Sequence, residues 1–441
     1  MTKTMNVHAK PKLTPAEQAM VAAFADRISR MPGDEATTKA RDAAIERLKQ
    51  EGFPTRRTEA WHYTDLKRML SRFLPVAARP DAGAARHAMS AYQRLIEAAR
   101  LPFLDGHFFA ELADPMPEGV AVRSYATQVA GGGDVSAWTI ASALDDTIAT
   151  LNTGFFADGV EIKVADGVSV GRAIGLAHCA ASEENRFSSV RHVVDVGAGA
   201  KAMFVERHIA PDGSGHQTCP VSTIEVGEGA EVTWVLIQEG GRAGDHLGQF
   251  RAHLAKDARL TLFVMNFGGH LVRHEVVVDT AGEGADFQLR GVNMLSGASH
   301  TDITMVLDHT GYGTTSEEIV RNVVTGKARG VFQGQIRVAR EAQKTDARMA
   351  CNTLLLSDDG EFSAKPELEI FADDVACGHG ATVTEIDEDH LFYLMSRGVP
   401  EKEARRLLVK AFLAEVVEDL DDEGLVEALE LRLDNWFAEN G

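Results

Sequence analysis

The chain has 441 residues, of which 44% are hydrophobic and 25% are charged, and its formal net charge is −20. This length is sufficient for two or three domains with cores of their own, and the composition is typical of a soluble globular protein. The strong negative charge argues against non-specific binding of nucleic acid. No run of eighteen apolar residues occurs, so we expect no membrane-spanning segment.

The N-terminus and the cysteine pattern both predict a reducing, cytoplasmic setting. The opening stretch, MTKTMNVHAKPKLTPAEQ, contains no apolar signal region. The four cysteines are scattered without a CxxC pair, at Cys179, Cys219, Cys351 and Cys377. This spacing encodes neither a disulfide framework nor a closed zinc site, and it does not hold an iron–sulfur cluster in the ferredoxin manner. Any cluster bound here therefore needs ligands from elsewhere.

The first part of the chain, residues 1–117, is predicted to be a helical domain. Thr14-Pro15-Ala16-Glu17 supplies a helix cap, a proline at the first helical position and a capping-box glutamate. A second helix is predicted from Ala36 to Gln50. Near Pro115 to Gly119 the sequence changes from helical patterns to short β-rich runs separated by turns, and we place the domain boundary there.

A polar and aromatic segment, PTRRTEAWHYT, runs from Pro54 to Thr64. Exposed arginine side chains are usually solvated, so those of this segment do not indicate a chemical role. We interpret the segment as a loop that Trp61 and Tyr63 anchor to a core.

Residues 118–384 are predicted to form a β-solenoid. Short β-rich runs alternate with turns, and these turns recur at intervals of 27 to 32 residues. The penultimate residues of the turns are Gly167, Gly199, Gly229, Asp257 and Gly284. Strand–turn–strand units with such a period are typical of a stacked solenoid, in which each unit buries its face against its neighbours. A β-sandwich also uses short strands and turns, and the periodicity alone leaves that alternative open.

Residues 385–441 are predicted to be a helical C-terminal domain. One amphipathic helix begins at Pro400, and another begins at Asp421. Such helices either cap the open end of the solenoid or dock a partner, and the sequence does not separate these uses.

Familiar catalytic motifs are absent from the sequence. We find no GxxxxGK[ST] loop, GxGxxG turn, GxSxG elbow or HExxH helix. We therefore expect a chain that neither binds nor hydrolyses nucleotide, and the commonest classes of enzyme are excluded. The sixteen histidines are dispersed, and we interpret most of them as exposed or as hydrogen-bonded core residues.

The segment Cys377-Gly378-His379-Gly380 carries the most specific chemistry. It follows a predicted strand around Leu368 to Val375 and precedes a helix that Asp387 caps and Gly398 ends. On an extended backbone, residues two apart point to one face, so the thiol and imidazole project side by side. Together with the nearby Asp373-Asp374 they suit iron, zinc or copper(I).

These donors fall short of a closed ligand shell, which predicts a site completed by another chain. The alternative is that Cys377 is a small buried hydrophobe and no ligand.

The amino-acid sequence of this region also resembles that of a known family. PELEIxADDVxCxHGAT followed by LFYLxSRG resembles the SufB/SufD family of iron–sulfur cluster assembly proteins, and the HGAT form resembles its SufD branch. The PTRRTEAWHYT segment is similar to one found near the N-terminus of family members. The resemblance implies a right-handed parallel β-helix core flanked by helical domains.

The resemblance also implies a function and partners. It points to a scaffold subunit that pairs with a SufB-like chain and builds and delivers nascent iron–sulfur clusters at their interface, with Cys377 and His379 as the metal-site residues. It further implies a SufC-like ABC-type ATPase that binds the C-terminal helices. The sequence has Ala-Cys-Gly-His where a Lys-Cys-Ser-His form is common, which leaves both proposed ligands intact.

Three other functions remain as alternatives. They are a SufB-like scaffold that itself accepts sulfur, a structural adaptor in which Cys377 and His379 only pack, and a β-solenoid enzyme acting on carbohydrate. The sequence leaves open the identity of the metal, the participation of a flavin, and homodimer formation by the isolated chain.

Overall fold

The protein is a β-solenoid of about seven turns with helices at both ends of the chain. A computed structural model describes residues 12–138, 146–211 and 213–440. The strands are β1 (Ala98–Leu104), β2 (His107–Phe108), β3 (Val120–Ser124), β4 (Val160–Val164), β5 (Ala173–Cys179), β6 (Phe187–Val196), β7 (Lys201–Ile209), β8 (Gln217–Val226), β9 (Glu231–Glu239), β10 (Asp245–Leu254), β11 (Arg259–Asn266), β12 (Leu271–Thr280), β13 (Asp286–Leu295), β14 (His300–His309), β15 (Thr315–Val324), β16 (Arg329–Val338), β17 (Asp346–Leu355), β18 (Glu361–Ile370) and β19 (Ala376–Thr384).

The chain alternates between two sheets. Sheet A has the order β18-β16-β14-β12-β10-β8-β6-β4-β3, and sheet B has the order β19-β17-β15-β13-β11-β9-β7-β5-β1-β2. From β4 and β5 onward, neighbouring strands within each sheet are parallel. This arrangement confirms the predicted solenoid and is not that of an antiparallel sandwich.

The helices lie before and after most of the strands. They are α1 (Pro15–Arg27), α2 (Glu35–Glu51), α3 (Leu66–Met69), α4 (Ala82–Ser90), α5 (Tyr125–Ala130), α6 (Thr147–Phe155), α7 (Glu388–Ser396), α8 (Glu401–Val417) and α9 (Glu423–Asn440). Every helix in the part of the chain that the structure describes is too short or too polar to cross a bilayer.

The recurring turns adopt a backbone conformation that explains their composition. All five penultimate turn residues have positive φ, with Gly229 at 64° and Asp257 at 54°. Glycine adopts this conformation without the steric cost that a Cβ atom brings, and aspartate tolerates it better than most residues. The sequence repeat is therefore a repeat of left-handed turns.

The solenoid core lies between the two sheets. Alternate residues of each strand point inward, as Leu260, Leu262 and Val264 do from β11, and they meet Val276 and Val278 of β12. One continuous cluster of such buried apolar side chains runs from β1 to β17. Stacked burial of this kind holds the turns together.

The N-terminal helices pack near the start of sheet A. The predicted capping box of α1 is present, with Thr14 and Glu17 bonded to each other's backbone amides. Met20, Phe24 and Leu48 are buried together with Leu247 and Leu271 of sheet A. The anchoring role predicted for Trp61 is confirmed because its side chain is buried.

Strand β1 is a feature that the sequence did not predict. It lies in the alanine-rich part of the N-terminal region, yet it pairs in parallel with β5 in sheet B.

The C-terminal helices lie against the outer surface of sheet B. Leu413 of α8 and Leu429 of α9 are buried with Val235 and Phe263. Arg290 of β13 forms an ion pair with Asp419, at 2.5 Å between Nε and Oδ2. These helices cover a face of sheet B, and among the described residues β18 and β19 are the last strands of the two sheets.

Candidate functional site

Cys377 and His379 lie on β19, the last strand of sheet B. Cys377 is opposite Ala347 of β17, and His379 is opposite Met349. Ala347 and Met349 point into the core and are buried. The thiol and the imidazole therefore share the inward face of β19, as the spacing predicted.

The inward face of β19 is open, unlike that of β17, its neighbour in sheet B. In β17 the inward-facing side chains are buried, but Cys377 is half-buried and His379 is exposed. A Cβ atom placed on Gly378 or Gly380 would have no atom of the described residues within 4 Å, apart from its own neighbours in the chain. Space for another backbone or a ligand thus exists on both sides of this strand.

Strands β18 and β19 end their sheets, and each has a free edge among the described residues. The amide of Ala376 donates to the carbonyl of Thr345, the residue before β17, at 2.9 Å. Since amides of a strand alternate in direction, those of Cys377 and His379 point away from β17. Within the described ranges, a row of unpaired backbone groups therefore runs along the edge that carries the two candidate ligands.

Large apolar side chains are exposed in the segments that adjoin this edge in the chain. Phe371, between β18 and β19, is 65% exposed, and Phe392 of α7 is 71% exposed. Other exposed apolar residues nearby in the chain are Ile370, Val383, Tyr393 and Met395. Exposed apolar surface next to an open strand edge is typical of an interface.

The predicted strand around Leu368 to Val375 is only partly confirmed. β18 ends at Ile370, and the next residues form a turn before β19 begins at Ala376. Asp387 does cap α7, where its side chain accepts from the amides of Asp389 and His390.

The carboxylates near the thiol differ from those that the sequence suggested. Asp374 forms an ion pair with Lys344, at 2.5 Å between Oδ2 and Nζ. The residues that line one cleft with Cys377 and His379 include Glu318 and Met349 but neither Asp373 nor Asp374. Partial burial raises the pKa of the Cys377 thiol, so a metal or a base is needed to form the thiolate at neutral pH.

Glu318 is an unusual core residue. It lies opposite Met349, which lies opposite His379, so the three form one inward-facing row. Its side chain is fully buried, and neither carboxylate oxygen has a hydrogen-bond partner among the described residues. Burial raises the pKa of Glu318 to about 8. The sequence does contain a sign of this residue. Glu318 is two residues from Ser316 and from Val320, so it shares their inward face on a strand whose other inward positions suit a core.

The thiol and imidazole can contribute two soft or borderline donors to iron, zinc or copper(I). A tetrahedral site needs four ligands, and the open edge leaves room for donors from a second chain.

A row of buried polar residues inside sheet B was also missed by the sequence analysis. His178, His208, Gln238, Asn266, Asn293 and Asn322 occupy one register position on successive strands. The amides of Asn266 and Asn293 each donate to the next asparagine of the row, at 2.7 Å. The detectable signal is a polar residue that recurs at the period of the turns.

Comparison with known proteins agrees with this architecture. Residues 178–412 match the family model of the SufBD core domain of SUF system FeS cluster assembly, and residues 28–176 match the N-terminal region of SufBD proteins. The iron–sulfur cluster assembly protein SufD of Escherichia coli is 30% identical over 398 residues, which cover 88% of this chain and 90% of that protein.

Two further relatives come from a cyanobacterium and a plant. An iron–sulfur cluster assembly SufBD family protein of Synechocystis is 27% identical and covers 92% of this chain and 90% of its own length. A chloroplastic protein of Arabidopsis thaliana is 27% identical and covers 86% of this chain and 82% of its own length. The chain is a member of the SufBD family of iron–sulfur cluster assembly proteins.

Proposed function

We propose that the chain is a SufD-like, non-catalytic scaffold subunit that holds half of a cluster-assembly site. The observation that carries this proposal is the position of Cys377 and His379, side by side on a free strand edge at the open end of the solenoid. The similarity to SufD along most of the chain supports this role over that of a SufB-like sulfur acceptor. Iron or a nascent iron–sulfur cluster is the cargo and is held only transiently.

The proposed partner at this edge is a homologous, SufB-like chain. Pairing with a second solenoid edge satisfies the unpaired backbone groups of β18 and β19 and covers the apolar side chains around them. It also brings further ligands to the open face of His379. We propose the same edge as the contact through which the isolated chain could form a homodimer.

The backbone amides of β18 point alternately toward β16 and outward, so a single proline substitution can remove an amide on one chosen side. The amide of Glu361 donates to the carbonyl of Ala328, just before β16, at 3.0 Å, and the amide of Phe371 donates to that of Val338, the last residue of β16, at 2.9 Å. Odd-numbered amides of β18 therefore face β16, and even-numbered amides face outward. Pro366, which has no amide hydrogen, occupies an outward position, where proline is tolerated.

The experiment compares Ile370→Pro with Glu369→Pro in chains co-expressed with the SufB-like partner. Ile370→Pro removes an outward amide, so we expect loss of complex formation at an unchanged melting temperature of the isolated chain. Glu369→Pro removes an amide that faces β16 and should lower the melting temperature itself. Normal complex formation by a well-folded Ile370→Pro chain contradicts docking at this edge.

The proposed second partner is a SufC-like ABC-type ATPase that binds the outer surface of α8 and α9. Leu407 and Leu431 are exposed on these helices, while the opposite sides of the helices are buried on sheet B. ATP hydrolysis is assigned to this partner, since the chain has no recognised nucleotide-binding motif. Removing α8 and α9 would expose the core of sheet B, so surface substitutions are the better test.

We further propose that the chain acts in the cytoplasm and is divided into an N-terminal region of residues 1–117, a core of residues 118–384 and a C-terminal region of residues 385–441. Neither a flavin nor a nucleotide is assigned to it.

A structural adaptor is the competing function, and one observation favours it. Cys377 packs partly against the same core as Phe362 and Leu368, as a buried cysteine without a metal role would do. The two functions differ in what the loss of Cys377 or His379 does to metal content.

A further inference from the structure

The first turns of the solenoid enclose a group of potential metal ligands far from β19. His178 of β5, His192 of β6 and Glu206 of β7 each offer one ligand atom, and these atoms lie within 4.8 Å of one another. The three side chains are buried. They come from both sheets, so a bound ion would join the sheets where the stack begins.

Two of the three residues have an unused ring nitrogen. Nε2 of His178 and Nε2 of His192 are buried and have no hydrogen-bond partner among the described residues. Nε2 of His178 lies 3.7 Å from Oε1 of Glu206, which is too long for a hydrogen bond. Buried polar atoms are nearly always bonded, so two orphans in one cluster indicate a missing partner.

The carboxylate of Glu206 is held in place by three neighbouring side chains. Oε2 lies 3.1 Å from Oγ of Ser222 and 3.2 Å from Nε1 of Trp234, and both of these groups donate to it. Nε2 of His208 lies 3.0 Å from Oε1. Hydrogen bonds of this kind orient the carboxylate ligands of metal sites.

The hydrogen bond at the other nitrogen of His192 is long. The amide of Val160 donates to Nδ1 at 3.3 Å. Binding of a metal at Nε2 uses the lone pair of that nitrogen and moves the ring proton to Nδ1, so this long hydrogen bond is given up.

We propose that His178, His192 and Glu206 bind one divalent first-row transition-metal ion, Zn²⁺ or Fe²⁺, as a resident structural ion. Two imidazoles and one carboxylate are a ligand set that both ions accept, with a further position left for water or another side chain. A cavity of about 60 Å³, lined by His178, His208 and His246, adjoins the cluster. It has room for the water that an entering ion carries.

This site is separate from the proposed cluster-assembly edge. Six strand spacings within sheet B separate β7 from β19, which corresponds to roughly 29 Å. The proposal therefore stands or falls independently of the role of Cys377 and His379.

The test uses the full-length chain, stripped with EDTA and titrated with Zn²⁺ and with Co²⁺ as a spectroscopic probe. We expect wild type and Cys377→Ala to bind one equivalent tightly, to melt at a higher temperature with Zn²⁺, and to give a Co²⁺ spectrum without a thiolate band at this site. His192→Gln and Glu206→Gln should lose at least about 10-fold in affinity and lose the thermal shift. His253→Gln, at a half-exposed position elsewhere on the solenoid, serves as the matched control.

Three results would overturn the site. One is a folded wild-type chain that takes up no Zn²⁺, and another is equal affinity in His192→Gln and wild type. The third is a Cys377→Ala chain that gives no Co²⁺ absorption. The Cys377→Ala spectrum decides the matter even where a variant of His192 or Glu206 fails to fold.

Discussion

The guanidinium of Arg273 stacks on the indole of Trp61, with Cζ 3.8 Å from the ring centroid. Arg273 belongs to β12 and also forms an ion pair with Asp302, at 2.5 Å between Nη1 and Oδ2. Its Nη2 donates to the carbonyl of Ala60, at 2.8 Å. This contact fastens the segment from Pro54 to Thr64 onto the outer surface of sheet A.

Trp61→Ala should therefore destabilise the whole chain. It removes a buried aromatic side chain and leaves the charge of Arg273 without its ring, so we expect a loss of about 3–5 kcal/mol in the free energy of unfolding. Urea denaturation monitored by circular dichroism measures this. His62→Ala, at an exposed neighbouring position, should change stability by less than about 0.5 kcal/mol. Similar small losses in both variants would show that the segment is only loosely attached.

The turn glycines should be sensitive to a single methyl group. Gly229 has a φ of 64°, and no atom of the described residues lies within 4 Å of the position that a Cβ would occupy. Gly229→Ala should thus cost about 1 kcal/mol through backbone strain alone. Gly171 is also in open space but does not have positive φ, so Gly171→Ala should be close to neutral. Equal melting temperatures for the two variants would disprove the conformational explanation of the repeat.

The solenoid was predictable because its turns are local. Gly199 and Gly229 recur in sequence for the same reason that they share a left-handed conformation in the structure. The position of β1 was not predictable, because its pairing with β5 is a contact between distant segments that no local pattern encodes. Likewise, only the tertiary structure shows that α8 and α9 cover sheet B rather than the end of the solenoid.

The candidate site was predictable in part for a related reason. Two residues on one strand, Cys377 and His379, share a face by backbone geometry alone. Glu318 and the cluster of His178, His192 and Glu206 depend on register between strands, which a single sequence does not supply. The acidic pair at Asp373 and Asp374 does not line the cleft that holds Cys377 and His379, since a turn follows Ile370 and interrupts the predicted strand.

Glu318 should make stability depend on pH. Its pKa is about 8 in the folded chain, against an ordinary value of 4.5 for a glutamate side chain. Between these pH values the folded state binds one more proton than the unfolded state, so stability falls as pH rises, by up to about 1.4 kcal/mol per pH unit.

Glu318→Gln should remove this contribution to the slope and raise the melting temperature at pH 8 by several degrees relative to wild type. Glu228→Gln, at an exposed turn position, should leave the slope unchanged. Melting curves between pH 5 and pH 8 measure both. A slope in Glu318→Gln equal to that of wild type would contradict the protonation of Glu318 in the folded chain.

The outer surface of the C-terminal helices should bind the ATPase partner. Leu431→Glu places a charge on exposed apolar surface of α9, and we expect at least a 10-fold loss in affinity for the SufC-like ATPase. Tyr312, which is exposed at a turn of the solenoid, supplies the control Tyr312→Glu. Both chains should melt at the wild-type temperature. Undiminished ATPase binding by Leu431→Glu would place the docking surface elsewhere.

The most direct test of the central claim is the iron and sulfide content of the complex that contains Cys377→Ala or His379→Ala, measured beside its melting temperature. If both residues hold the cargo, each variant should assemble with its partner and melt within a few degrees of wild type, but should carry far less iron and sulfide. Loss of a merely packed thiol would cost about 1 kcal/mol or more of stability and leave metal content intact. Full loading of iron and sulfide in a destabilised His379→Ala complex would contradict the account.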